Sequence, residues 1–151
     1  MKILGLNCSY KSIVHDPSAC LMINGKIVNA MDEERFNRVK TSLGYFPYYS
    51  IKNILIANHL SIKDIDLIVS TGETYPILKK KKTNSLIQLF GYSPKIILMP
   101  HYLAHAYGSY YSSGYDKSLV ISMDAMGDKV STFIANASKS KFQEIYKSGN
   151  G

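Results

Sequence analysis

His101 and His105 stand four residues apart in the segment Met99-Pro100-His101-Tyr102-Leu103-Ala104-His105-Ala106. On a helix that spacing puts both imidazoles on one face, one turn apart. Two imidazoles so placed can share one transition metal, and imidazole suits zinc, iron, nickel and copper. Pro100 is tolerated just inside a helix start, because its missing N–H would have no helical partner there. Asp124 is the best candidate for a third ligand. It follows the apolar stretch Ser118–Met123, and ligands of open α/β sheets gather at strand ends. Two histidines and one carboxylate leave positions open for water or substrate. Gly127 lets backbone approach a ligand closely. The plain alternatives are two ordinary helix histidines and a turn-forming aspartate, since a bare His-x-x-x-His recurs by chance.

A second group lies nearer the N-terminus. His15 can act as a general acid or base near neutral pH, and Asp16 can orient it. Asp32-Glu33-Glu34-Arg35-Phe36 follows, with Arg38 and Lys40 just beyond. Arg35, Arg38 and Lys40 can meet a phosphate oxygen. Composition alone favours the plainer readings here, a turn and a solvated charge run.

The elements that must carry these residues are short. Ile3–Asn7, Ala19–Ile23 and Lys26–Met31 read as strands. Asn24-Gly25 between the last two predicts a type I′ hairpin, because both residues tolerate positive φ. Tyr48–Leu60 reads as a helix, with Ile51, Ile54 and Leu55 at helical spacing. Ile65–Ser70 and Lys95–Met99 read as strands. Between them the reading is irregular, with a short helix at Ser85–Phe90. A helix is expected from Pro100 to about Tyr111, then a strand at Ser118–Met123, a Met-Gly-Asp turn, and strands at Val130–Ala135 and Phe142–Tyr146. This last layout repeats the first, with Asp124 falling where Asn7 stands. Two such units are how α/β folds of the ribonuclease H-like, actin type are built, with a mixed sheet and flanking helices.

Length and composition set the frame. The chain has 151 residues, 46% hydrophobic and 19% charged, enough for a buried core. No apolar run approaches the roughly 18 residues of a membrane span. The two cysteines, Cys8 and Cys20, are too few for a disulfide scaffold, so a reducing cytoplasm is expected. The net charge of +7 leans to the C-terminal half and includes the run Lys79–Lys82. That run reads as a solvated loop, and nucleic-acid binding is disfavoured because no reading motif accompanies it.

Several segments resemble the NodU/CmcH family of carbamoyltransferases, in the N-terminal part of their Kae1-like domain. They are Ile3-Leu4-Gly5, His15-Asp16-Pro17-Ser18-Ala19, Asn24-Gly25-Lys26-Ile27-Val28, Glu33-Glu34-Arg35-Phe36-Asn37-Arg38-Val39-Lys40, Phe46-Pro47, His101-Tyr102-Leu103-Ala104-His105-Ala106 and Met123-Asp124-Ala125-Met126-Gly127-Asp128. The resemblance implies an ASKHA fold and transfer of a carbamoyl group to an acceptor hydroxyl on a small molecule or sugar. The donor would be carbamoyl-adenylate, made from carbamoyl phosphate and ATP by a YrdC-like domain. It implies a divalent metal, iron(II) first and zinc or manganese next, on His101, His105 and Asp124. It implies catalytic roles for His15, Asp16 and Lys40, substrate contacts from Glu34, Arg35 and Arg38, and nucleotide contacts from Gly127 and Asp128.

The sequence also departs from the family. Tyr102 stands where the family usually has a second histidine. Residues 1–116 match a first ASKHA subdomain, and residues 117–151 match the opening hairpins of a second, only begun. The remaining half and the YrdC-like domain are expected on another chain or lost. Two alternatives follow. One is a non-catalytic interaction module, which exposed strand edges and six of the twelve tyrosines between Tyr92 and Tyr115 would suit, self-association included. The other is a tRNA-modifying threonylcarbamoyl-transfer relative, against which Glu-Glu-Arg-Phe argues.

Overall fold

The computed structural model describes residues 1–8, 16–73, 75 and 77–149, with the backbone alone at residues 125–127. The chain forms two compact units. One comprises Met1–Ser70 with Tyr75–Leu98, the other Thr71–Thr74 with Met99–Gly151.

The first unit is built on a five-stranded sheet of order β3-β2-β1-β4-β5. The strands are β1 (Lys2–Asn7), β2 (Ser18–Ile23), β3 (Lys26–Asp32), β4 (Leu67–Thr71) and β5 (Ile96–Met99). β1 pairs antiparallel with β2 and parallel with β4, where Leu6 faces Ser70. The β2–β3 turn is the expected one, with Asn24 and Gly25 at φ 50° and 81°. Alternation along β1 buries Leu4 and Leu6, and β2 contributes Ala19 and Leu21. Helix α1 (Glu34–Asn37) is a single turn, and helix α2 spans Tyr48–Ala57. α2 adds Ile51, Ile54 and Leu55 to the core.

The stretch after β4 differs from the sequence expectation. Helix α3 runs Ile77–Phe90, and the lysine run lies inside it. Leu78, Lys82, Leu86 and Phe90 recur every four residues on its inward side, with Lys82 and Leu86 fully buried. A lysine in the apolar stripe hid the helical period. The Lys82 ammonium donates to Ser70 Oγ at 2.7 Å, and Ser70 Oγ donates to Leu6 O at 2.6 Å. Lys82 is therefore a core residue, not surface chemistry.

Cys8 lies in the same core. Burial pushes its thiol from the ordinary value near 9 up to about 11, against a smaller opposing pull from Lys82 and the Ser70 hydroxyl. The folded state thus disfavours the thiolate, while the unfolded state ionises near 9. The resulting stabilisation is whole below pH 9 and is lost as pH rises toward 11. The expected slope is about 1.4 kcal/mol per pH unit. Denaturant titrations across this range should show Cys8→Ala losing stability less steeply than the parent; equal slopes would contradict the assignment.

The second unit holds helix α4 (His101–Ser113) against a three-stranded antiparallel sheet of order β6-β7-β8. The strands are β6 (Lys117–Gly127), β7 (Val130–Ser138) and β8 (Lys141–Gly149). This meander repeats β1–β2–β3 in layout, as the sequence suggested. Its core is Ala106 and Tyr110 from α4 with Val120, Phe133, Ala135 and Ala137 from the sheet. α4 stops at Gly114, whose φ of 78° suits a residue without Cβ. Strand β6 continues past Met123, so the turn falls at Asp128-Lys129 and not at Met-Gly-Asp. Both turn residues have positive φ, 51° and 66°, the geometry of a two-residue hairpin turn. Among the described residues no helix is long and apolar enough to cross a membrane.

Candidate metal centre

Helix α4 opens directly after Pro100, and its first helical bond runs from the Ala104 N–H to Pro100 O at 3.2 Å. Tyr102, Ala106 and Tyr110 face the sheet, with the Tyr102 ring 4.9 Å from that of Phe133. His101 and His105 share a different stripe. Their Nε2 atoms lie 2.8 Å apart.

Asp124 reaches them from β6. Pairing with β7 runs regularly to Met123–Thr132 and resumes at Gly127–Val130. Three residues of β6 thus oppose one of β7, a bulge of the kind that re-aims a side chain. Asp124 Oδ2 lies 2.8 Å from His101 Nε2 and 3.9 Å from His105 Nε2. All three donor atoms fall within 4.8 Å of one another.

The chemistry of this donor set fits a cation. His101 Nε2 sits 2.8 Å from both His105 Nε2 and Asp124 Oδ2. One proton on that nitrogen serves two acceptors only by being shared between them. A metal among the three atoms would accept a lone pair from each. Ligand atoms about 2.1 Å from one ion sit roughly 3–3.5 Å apart, close to the spacings here.

Asp128 holds the start of the helix. Its Oδ2 accepts the His101 backbone N–H at 2.7 Å. A carboxylate there satisfies an otherwise partnerless helix-end donor and complements the helix dipole. The β6–β7 turn is thereby tied to the residue that carries the first imidazole. Gly127 pairs with Val130 beside this turn.

The other sequence candidates belong to the first unit. His15 lies outside the described residues. Asp16 is exposed at φ 59°. Its backbone N–H donates to Thr41 O at 2.8 Å, and its carbonyl accepts from Asn7 Nδ2 at 2.9 Å. Asp16 is thus set beside the turn Lys40–Ser42. Glu34 Oε2 accepts the Thr41 N–H at 2.9 Å. Arg35, Arg38 and Lys40 are exposed. The sequence reading gave no role to Glu33, which is buried and accepts the Tyr49 N–H, the Ser50 N–H and the Ser50 hydroxyl. It caps α2, and the long separation left no local signal of this.

No family model matches the chain. Nodulation protein NolNO of Sinorhizobium fredii is 28% identical to it over 156 aligned residues, covering 89% of this chain and 23% of NolNO. The chain resembles the NodU/CmcH carbamoyltransferases. Uncharacterized protein MJ1051 of Methanocaldococcus jannaschii is 32% identical over 138 residues, covering 89% of this chain and 25% of that protein. The chain therefore spans about a quarter of the length of the curated relatives it matches. Among solved structures, YeaZ from Pseudomonas aeruginosa superposes with a TM-score of 0.61 at 12% identity, over 98% of this chain and 66% of YeaZ. An uncharacterized protein with similarity to YeaZ gives 0.53 at 13% identity, over 96% of this chain and 63% of that one. The fold is of the ASKHA type that the NodU/CmcH resemblance implies.

Proposed function

We propose that this chain supplies the metal-binding part of a carbamoyl-transfer site. The observation that carries the reading is the convergence of His101, His105 and Asp124 in a chain that resembles carbamoyltransferases. A divalent ion held there, iron(II) first and zinc or manganese next, would hold a phosphate or polarise a carbonyl oxygen. The protein's own groups do the rest. Asp128 fixes the first turn of α4 and so aims His101. By the same resemblance Gly127 and Asp128 would contact the nucleotide.

In the proposed reaction an acceptor hydroxyl oxygen attacks the carbonyl carbon of carbamoyl-adenylate. The bond from that carbon to the phosphate oxygen breaks, and AMP leaves. The hydroxyl proton passes to a base, a role assigned to His15 with Asp16 orienting it. Lys40, Arg35 and Arg38 would bind the donor's oxygens, and Glu34 steadies their segment through Thr41. Carbamoyl phosphate and ATP would be the source of the donor. The YrdC-like domain and the second ASKHA half, by the same resemblance, would complete the site.

The alternative is an interaction module without catalysis, favoured by the exposed apolar side chains Leu119, Ile121 and Met123 along β6. Binding of radiolabelled carbamoyl-adenylate to the metal-loaded chain separates the two. Retention of label by the chain, lost in Lys40→Ala, is the expected result. Metal uptake without adenylate binding would overturn the catalytic reading and leave the module.

A further inference from the structure

We infer that Asn37 is a positioning residue, whose side-chain oxygen presets the turn 38–42 that presents Arg38 and Lys40 to the carbamoyl donor. The inference rests on the donor-binding role proposed above for those two cations and adds the group that holds them.

Local costs gather at this turn. Arg38, Thr41 and Ser42 have φ of 58°, 59° and 40° without being glycine, a left-handed conformation that residues with a Cβ resist. Asp16, whose N–H meets Thr41 O at 2.8 Å, has φ of 59° as well. Asn37 Nδ2 is buried and, among the described residues, meets no acceptor. Stranding a buried donor costs stability. Strained backbone persists only where the surroundings impose it, and such strain clusters where function needs a fixed geometry. A stranded polar atom in a native fold calls for the same kind of explanation.

The contribution of Asn37 is its oxygen. Oδ1 accepts the Val39 N–H at 2.9 Å and the Ser42 hydroxyl at 3.0 Å. An N–H can meet only an acceptor, so the oxygen and not the nitrogen stands there. Val39 directly precedes Lys40, and Ser42 follows it by two positions. One atom therefore grips the chain on both sides of Lys40. Ser42 is fully buried and donates to Val39 O through both its hydroxyl and its N–H, which stiffens the grip. Glu34 holds the Thr41 N–H between these two points.

Arg38 and Lys40 are themselves exposed. Binding an anion with long side chains costs the entropy of ordering them and the backbone that carries them. A turn fixed in advance removes the backbone's share of that cost before the donor arrives.

The test measures retention of radiolabelled carbamoyl-adenylate by the metal-loaded full chain, below the melting temperature of every variant. Asn37→Ala should weaken binding on the order of tenfold, as the two cations then have to be ordered on binding. Thr41→Gly added to Asn37→Ala should recover part of the loss, since glycine takes positive φ without a side chain's penalty. Ser61→Ala is the control. Ser61 caps the short 3-10 helix Ile62–Asp64 in the same unit through a reciprocal bond with Asp64. Its loss should lower the melting temperature and leave donor retention unchanged. Parent-like retention by Asn37→Ala, no recovery with Thr41→Gly, or an equal loss in Ser61→Ala would each overturn the inference. If the parent itself retains no donor, the transfer reading falls and takes this inference with it. A parent that binds, with an Asn37→Ala variant that binds equally, ends the inference alone.

Discussion

Changing His101 and His105 together to alanine is expected to abolish binding of a divalent first-row metal by this chain while leaving its fold intact. The donor set comes from two elements, α4 and the β6 bulge, so removing both imidazoles leaves one carboxylate. A structural four-ligand zinc site is worth roughly 10–16 kcal/mol, or about 3 kcal/mol per ligand. Each single change, His101→Ala, His105→Ala or Asp124→Ala, should then weaken metal binding by on the order of a hundredfold. Asp128→Ala acts through the helix start, and an outer-shell loss of about tenfold is expected. The helix should survive these changes, because it is anchored by Ala106 and Tyr110, which face Val120 and Phe133. Cobalt(II) titration followed by its visible absorption, with calorimetry for zinc and manganese, reads both affinity and ligand type. Parent-like affinity in the double variant would place the metal elsewhere and end the assignment.

How much of this was legible in the sequence depended on distance along the chain. Asn24-Gly25 announced its hairpin because turn chemistry is local. The histidine pair announced its shared face because helical spacing is local as well. The bulge that aims Asp124 is a matter of register between β6 and β7, which no short window contains. Asp128 meets His101 across 27 positions, and Glu33 meets Ser50 across 17. Their letters suggested a ligand contact and a surface charge run, and only the fold shows them serving backbone donors. The first two turns of α3, ahead of the expected helix Ser85–Phe90, were missed because Lys82 occupies a position that the helical period reserves for an apolar side chain. The β6–β7 turn was misplaced because glycine marked the wrong spot: two non-glycine residues, Asp128 and Lys129, make it.

Glu33 shows what such a long-range polar contact is worth, and Glu33→Ala is the stability change with the largest expected effect. The substitution strands the Tyr49 and Ser50 N–H groups at the first turn of α2 and leaves the Ser50 hydroxyl without its acceptor, with Ser50 fully buried. A stranded buried donor costs about 1–3 kcal/mol, and losing a carboxylate at a helix start costs about 0.3–1 kcal/mol more. Relief of the carboxylate's own desolvation returns part of this. A net loss of about 3 kcal/mol follows, which lowers Tm by roughly 6–12 °C in a chain of this size. Glu33→Gln should fall between. Its one amide oxygen can serve Ser50, but its NH₂ then faces the Tyr49 N–H, donor against donor. Glu34→Ala, which gives up the single Thr41 contact on a half-buried side chain, should cost only about 1 kcal/mol. Calorimetric melting of the three variants tests the ranking. If Glu33→Ala melts with the parent, the motif's first glutamate is free for a ligand and the capping role is wrong. If it falls below Glu34→Ala by the margin given, adjacent glutamates in one motif have separate duties, set by which of them the fold buries.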